Sequence, residues 1–277
     1  LKLDAMENPY ALPAALAEPW LRAVAGVALN RYPDPHATAL RARLVADQGL
    51  AGTHGVVLGN GSDELIHMLC LAFARDRKAC LLSPEPSFSV YRIAAQAVGM
   101  DYAGVPLTAD AFALDVEALL GAIEQRQPPL VFLASPNNPT ANPLVDRTTL
   151  AAVCAAAPGL VVLDEAYYRF AGTSLIDALA VHENLAVMHT LSKIGLAGLR
   201  VGALFAAQPW LDLIERVRMP YNINALSQVG ALFALEHVAH FQAQIDAIVD
   251  ARAELASALA AVPGVHCWPS ATNLILF

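Results

Sequence analysis

The sequence predicts an α/β fold: a mainly parallel seven-stranded sheet sandwiched by helices, followed by the start of a smaller, incomplete α+β domain. Three observations predict it. Short apolar runs alternate with helix-length segments through most of the chain. The runs are apolar on both faces, as in strands covered by helices on either side. Glycine, asparagine and carboxylate residues follow several runs directly, at the strand ends where open parallel sheets bind ligands.

The elements justify themselves in order. Residues 1–30 read as an irregular arm with a short helix, because Asn8-Pro9-Tyr10 and Leu12-Pro13 favour extended or turning backbone. Arg31-Tyr32-Pro33-Asp34-Pro35 is a proline-held loop, and a helical stretch runs from Thr38 to about Gln48. Strands are predicted near Val56–Leu58, Ala79–Leu82, Tyr102–Val105, Leu130–Ala134, Leu160–Leu163, Ala186–Thr190 and Val201–Ala206. The helical patterns Asp63–Ala74, Ser87–Val98, Asp115–Gln125 and Arg147–Ala156 lie between them. The gap from Lys193 to Val201 is too short for a crossover helix, so the last strand should run antiparallel. Helices are then expected at Trp210–Arg218, Asn224–Glu236 and Phe241–Ala261, with Pro263-Gly264 ending the last. Val265–Trp268 and Asn273–Phe277 read as strands of a second layer. The domains expected are residues 1–30 (arm and small-domain segment), 31–250 (large domain) and 251–277 (start of a C-terminal small domain that continues beyond Phe277).

The chain's 277 residues are 56% hydrophobic, enough for a sizeable core. Its net charge of −8 argues against nucleic acid as a partner. No apolar run reaches membrane-spanning length, and the first residues lack a signal-peptide pattern. Cys70, Cys80, Cys154 and Cys267 form no CxxC pair and no zinc spacing, so buried, reduced thiols in a cytoplasmic protein are expected. No metal site is expected: His237 and His240 stand three apart on a helix, a spacing that usually marks a solvated face.

Three lysines occur, and only Lys193 lies between apolar segments; Lys2 is near the start and Lys78 in a charged turn. A buried lysine loses hydration, its pKa falls and its amine becomes nucleophilic. The alternative is a strand-end lysine that snorkels to water. Gly59-Asn60-Gly61-Ser62-Asp63-Glu64 opens a helix, where exposed N–H groups and the helix dipole favour phosphate, or where Ser62 or Asp63 simply caps. Ser135-Pro136-Asn137-Asn138-Pro139-Thr140 is a rigid turn that could hold cis bonds and aim an amide at a ligand. Asp164, in Asp164-Glu165-Ala166-Tyr167-Tyr168, is a carboxylate at a buried strand end and needs a partner, whether structural, a metal, or a protonated heterocycle.

In this order the motifs resemble the pyridoxal-phosphate (PLP) enzymes of aminotransferase fold type I, and most closely the histidinol-phosphate aminotransferase group. The opening Leu3–Tyr10, Arg31-Tyr32-Pro33-Asp34 and the glycine turn carry that closer likeness, which is collinear along nearly the whole chain. The resemblance implies that Lys193 bears the cofactor and that Asp164 pairs with its ring nitrogen. It implies that Asn138 and Tyr167 meet the ring's phenolic oxygen and that Phe88 lies against the ring face. Gly61, Ser62, Asp63, Ser192 and Arg200 would hold the phosphate, with Tyr32 reaching it from a second subunit of a homodimer. Asn8 and Tyr10 would face the substrate. The catalytic residues would be Lys193, Asp164 and Tyr167. The implied reaction transfers the amino group of L-histidinol phosphate to 2-oxoglutarate, in histidine biosynthesis. Aromatic amino-acid transamination, threonine-phosphate decarboxylation and a non-catalytic PLP-binding sensor are the alternatives. Two departures stand out: Ala141 occupies a place commonly held by glycine, and the Lys193–Arg200 spacing is one residue short. Alanine at 141 should require a negative φ unless strain is tolerated. The arginine expected to grip substrate would lie beyond Phe277.

Overall fold

The computed structural model describes residues 6–50, 52, 54–74 and 79–277. Lys2, Lys78 and the residues before Met6 lie outside them. Helices α1 (Ala14–Ala25) and α2 (Thr38–Asp47) precede strand β1 (His54–Asn60). Then come α3 (Ser62–Phe73), β2 (Cys80–Glu85), α4 (Val90–Ala97), β3 (Asp101–Pro106), α5 (Val116–Arg126) and β4 (Leu130–Ala134). They are followed by α6 (Arg147–Ala156), β5 (Leu160–Asp164), the short α7 (Tyr168–Ala171), β6 (Leu185–Thr190) and β7 (Val201–Ala207). Helices α8 (Gln208–Glu215), α9 (Ala225–Glu236) and α10 (Val238–Ala260) complete the described elements.

The seven strands form one sheet in the order β1-β7-β6-β5-β4-β2-β3. Strands β2 to β6 are parallel, and β7 runs antiparallel between β1 and β6, as the short preceding gap requires. Alternate side chains feed two separate cores. Val131, Leu133, Val161, Leu163 and Val187 pack against α1, α2, α5, α6, α9 and α10. Val57, Phe132, Val162, Met188 and Leu204 pack against α3, α4 and α8. Burial on both faces is why these strands lack a polar alternation. Asp115, Asp146 and Asn224 cap α5, α6 and α9 with side-chain oxygens that accept the backbone N–H groups of Ala118, Thr149 and Ser227.

Several expectations change. Val265–Trp268 and Asn273–Phe277 are not strands. They meet through a hydrogen bond from Trp268 N–H to the Leu276 carbonyl. Pro269 lacks a donor, and side chains take over the backbone groups between the two segments: Ser270 Oγ accepts from Thr272 N–H, and Thr272 Oγ1 from Leu274 N–H. The long helix starts at Val238, separated from α9 by His237 alone, and the division placed at residue 250 falls inside it. Cys70, Cys80 and Cys154 are buried, but Cys267 is partly exposed, because its segment never joins a sheet. Ala141 is fully buried with φ of 63°, so the left-handed conformation is adopted despite its Cβ. Its N–H donates to the Asn137 carbonyl at 3.0 Å and its carbonyl accepts from Ala271 N–H at 2.7 Å, two bonds that hold the strained backbone. The Ser135-Pro136, Asn138-Pro139 and Glu85-Pro86 bonds are cis.

Candidate active site

A cavity of about 240 Å³ opens beyond the carboxyl ends of the parallel strands. Nine of the residues singled out in the sequence line it: Ser62, Asp63, Phe88, Asn138, Asp164, Tyr167, Ser192, Lys193 and Arg200. Because β7 is antiparallel, its amino end lies at the same edge, so Lys193 and Arg200 stand on one connection between paired Thr190 and Gly202.

Asp164 ends β5 and is buried. Its Oδ2 accepts from the Tyr91 hydroxyl at 2.6 Å and its Oδ1 from Ala166 N–H at 3.0 Å. Burial raises its pKa to about 6, against the lowering effect of those bonds and of the Lys193 charge. Burial likewise lowers the pKa of Lys193, and the negative charge of Asp164 opposes the shift only in part. Lys193 Nζ lies 5.6 Å from the centre of the Tyr167 ring. The Tyr167 hydroxyl accepts from Asn138 Nδ2 at 3.3 Å.

At the other end of the cavity, α3 begins without a side-chain cap, its N-cap being Gly61 at φ 83°. Neither Ser62 nor Asp63 caps the helix, so its first N–H groups remain available to an anion. A Cβ on Gly61 would come within 2.3 Å of Arg200 Nη2, and one on Gly202 within 2.7 Å of the Ser62 nitrogen. Two adjacent glycines therefore let the guanidinium lie over the helix start. Arg200 Nη2 also donates to Asp63 Oδ2 at 2.9 Å. Thr190 Oγ1 donates to Ser192 Oγ at 3.0 Å and fixes that hydroxyl.

The other three predicted residues stand apart from this cavity. Asn8 donates through Nδ2 to Gln244 Oε1 at 3.1 Å. Tyr10 lines a neighbouring cleft with Arg252 and Asn273; Glu7 borders both cavities. Tyr32 is 81% exposed and stacks on Tyr221 with ring centres 4.5 Å apart.

Two residues escaped the sequence reading. Tyr91, on α4, is fully buried and supplies the partner that Asp164 required. Asn137 is fully buried and ties the Ser135–Thr140 loop to the Phe88 loop. Its Nδ2 donates to the Pro86 carbonyl and to Thr140 Oγ1, while its Oδ1 accepts from Ser87 Oγ. A buried tyrosine hydroxyl needs an acceptor, which was the available signal for Tyr91.

This donor set suits one kind of ligand: an anionic arm at the α3 end, a carbonyl carbon within reach of an amine, and a ring nitrogen at a buried carboxyl. Among the described residues no group of histidine, cysteine or carboxylate side chains could hold a metal ion.

The family model for aminotransferase class I and II matches residues 1–277. A histidinol-phosphate aminotransferase of Nitrosococcus oceani is 48% identical over 277 residues, covering all of this chain and 76% of its own length. One from Chromobacterium violaceum is 48% identical over 275 residues, with 99% and 76% covered. The chain thus spans about three quarters of these relatives. Among solved structures, a putative histidinol-phosphate aminotransferase from Erwinia carotovora atroseptica superposes with a TM-score of 0.86 at 25% identity, covering 99% of this chain and 80% of the other. The L-threonine-O-3-phosphate decarboxylase of Porphyromonas gingivalis shares the fold, with a TM-score of 0.80 at 23% identity over 98% and 79% of the two chains.

Proposed function

The chain belongs to the aminotransferase class I and II family, and from that premise we propose that it moves the amino group of L-histidinol phosphate to 2-oxoglutarate. One observation carries the site assignment: a lysine of lowered pKa and a buried carboxyl line a single cavity with an uncapped helix start. Relatives near half identity that bear the histidinol-phosphate name support the donor. The fold alone does not separate transamination from decarboxylation.

The residues present fit PLP. Asp164 would hold a proton on the ring nitrogen, and Asn138 and Tyr167 would meet the phenolic oxygen. Phe88 would lie against the ring, while the Ser62 and Asp63 N–H groups, Ser192 and Arg200 would hold the phosphate, Gly61 leaving room for the guanidinium. When bound, PLP supplies an aldehyde for the amino group and a ring that accepts the electron pair left at the α-carbon. Lys193 does the rest. Its amine, whose pKa burial lowers, would be the group that holds the aldehyde carbon until the donor's amine replaces it. Freed, Nζ would act as the base that takes the α-proton and delivers it to the former aldehyde carbon, two bonds away across the nitrogen.

In this reading the phosphate end of the site calls for a second copy of the chain. Tyr32, Tyr221, Leu29 and Met219 are all exposed large apolar side chains. Their burial against another subunit would complete a homodimer and bring Tyr32 to the neighbouring phosphate site. No described helix is long and apolar enough to cross a membrane, and the buried thiols suit a reducing cytoplasm.

Borohydride reduction of the PLP-loaded protein followed by peptide mapping should place the adduct on Lys193. Turnover should favour histidinol phosphate over phenylalanine and threonine phosphate. An adduct elsewhere sinks the site, and preference for another donor sinks the substrate.

A further inference from the structure

Along Asp164–Tyr168, Glu165 and Tyr168 are the residues that do not line the cavity. Asp164 and Tyr167 line the cavity. Their immediate successors, Glu165 and Tyr168, both contact one buried side chain on the next strand, His189. Glu165 Oε2 is 2.9 Å from His189 Nε2, and the Tyr168 ring stacks on the imidazole with centres 4.1 Å apart. Phe205 closes the far side, edge-on at 5.4 Å.

This contact falls where the backbone stops joining β5 to β6. Their last paired residues are Asp164 and Met188, and Glu165 N–H still donates to the Met188 carbonyl at 2.9 Å. Beyond it β6 stays paired on its β7 side alone: Thr190 pairs with Gly202, and Leu191 N–H donates to the Val201 carbonyl. Asp164 and Lys193 therefore sit on tips that have parted company. Glu165 is itself held, since Oε1 accepts from Leu175 N–H at 2.7 Å and Oε2 from Ser174 Oγ at 2.5 Å. With the carboxylate accepting, the hydrogen belongs on His189 Nε2.

We propose that Glu165 and His189 are a positioning pair, a rear clasp that sets the separation of the Asp164 and Lys193 side chains and so governs how PLP seats and attaches. The pair touches neither reacting atoms nor the cavity. Its action is transmitted through neighbours one residue from Asp164 and Tyr167 and four from Lys193. A buried acid left alone would cost far more than the clasp, so the informative variant removes the charge as well. In Glu165→Gln/His189→Leu the amide can still accept from Leu175 N–H and donate to Ser174, while leucine fills the space between Tyr168 and Phe205.

The inference rests on Lys193 bearing the cofactor. The test compares wild type, the double variant and His189→Gln, which keeps a donor for Glu165. PLP is titrated into each apoprotein, attachment to Lys193 is timed by borohydride trapping, and apoprotein melting is recorded. The double variant should melt near wild type yet bind PLP about tenfold more weakly and attach it more slowly, with His189→Gln restoring both. Wild-type affinity and attachment in a folded double variant would overturn the clasp, as would a loss that tracks melting temperature and that His189→Gln shares. A wild-type protein that forms no Lys193 adduct refutes the function proposed above instead.

Discussion

Asp164 and Asp63 line the same cavity, each at a strand-to-helix or strand-to-loop junction, and each has one side-chain hydrogen-bond partner. Asp164 meets the Tyr91 hydroxyl at 2.6 Å, and Asp63 meets the Arg200 guanidinium at 2.9 Å. On paper the ion pair should be the stronger. Yet Asp63 and Arg200 are open to water, while Asp164 and Tyr91 are buried. Water screens the first pair to the small worth of a surface bridge, and its absence makes the ionised form of Asp164 costly. The lesson is that exposure, more than the partner's formal charge, decides which carboxylate stores free energy. The buried one is poised to accept the positive charge of a protonated ring nitrogen.

The comparison breaks most visibly at Asp164→Asn. Turnover should fall by roughly 10³-fold, as for a lost charge-stabilising group, while the apoprotein becomes more stable at pH 7. The sign follows from the raised pKa. Between about pH 4 and 6 the folded chain holds a proton that the unfolded chain has lost, so the stability present below pH 4 disappears as pH rises through 6. The difference is about 3 kcal/mol, read by denaturant titration of wild type across that range. The asparagine variant should show a flat profile there. A stability gain at low pH in both proteins would remove Asp164 as its source.

Tyr91→Phe should come next. It strips Asp164 of a bond that favours its charged form, raising the carboxyl pKa further. Activity should drop about tenfold, most at acidic pH, and the fold should lose about 1–3 kcal/mol. An unchanged pH–rate profile would show that the hydroxyl does not tune Asp164. Asp63→Asn should alter apoprotein stability by less than about 1 kcal/mol, and a larger loss would place the exposed pair among the fold's supports. Ala141→Gly should be smallest, a gain of about 0.5–1 kcal/mol from relief of the left-handed alanine, offset by glycine's freedom when unfolded. Calorimetry that finds a loss would mean the buried methyl matters more than the strain.

Much of this was legible in the chain. Leu130–Ala134 was read residue for residue, because a strand buried on both faces leaves an uninterrupted apolar run. The antiparallel β7 followed from a gap too short to hold a crossover. Tyr91 was not legible: its acceptor lies 73 positions away, and the meeting exists only once α4 covers the sheet. Val265–Trp268 misled for the complementary reason. Its residues have the composition of a strand, but a strand is a pairing: Val265 N–H turns back to the Val262 carbonyl, and Trp268 N–H meets the facing segment at a single point. Ala141 shows the same limit in backbone form, since local preference yielded to two hydrogen bonds from loop and tail.

The thirteen residues from Thr190 to Gly202 form a stirrup, clamped at both feet by the β6–β7 ladder. Its tread carries the amine that would tether the coenzyme, and its far foot carries the cation that would grip the coenzyme's tail. Tether and grip therefore share one mechanical frame. A shift of β7 against β6 would displace both together, so damage there should appear as whole-coenzyme release rather than as a faulty bond at either end.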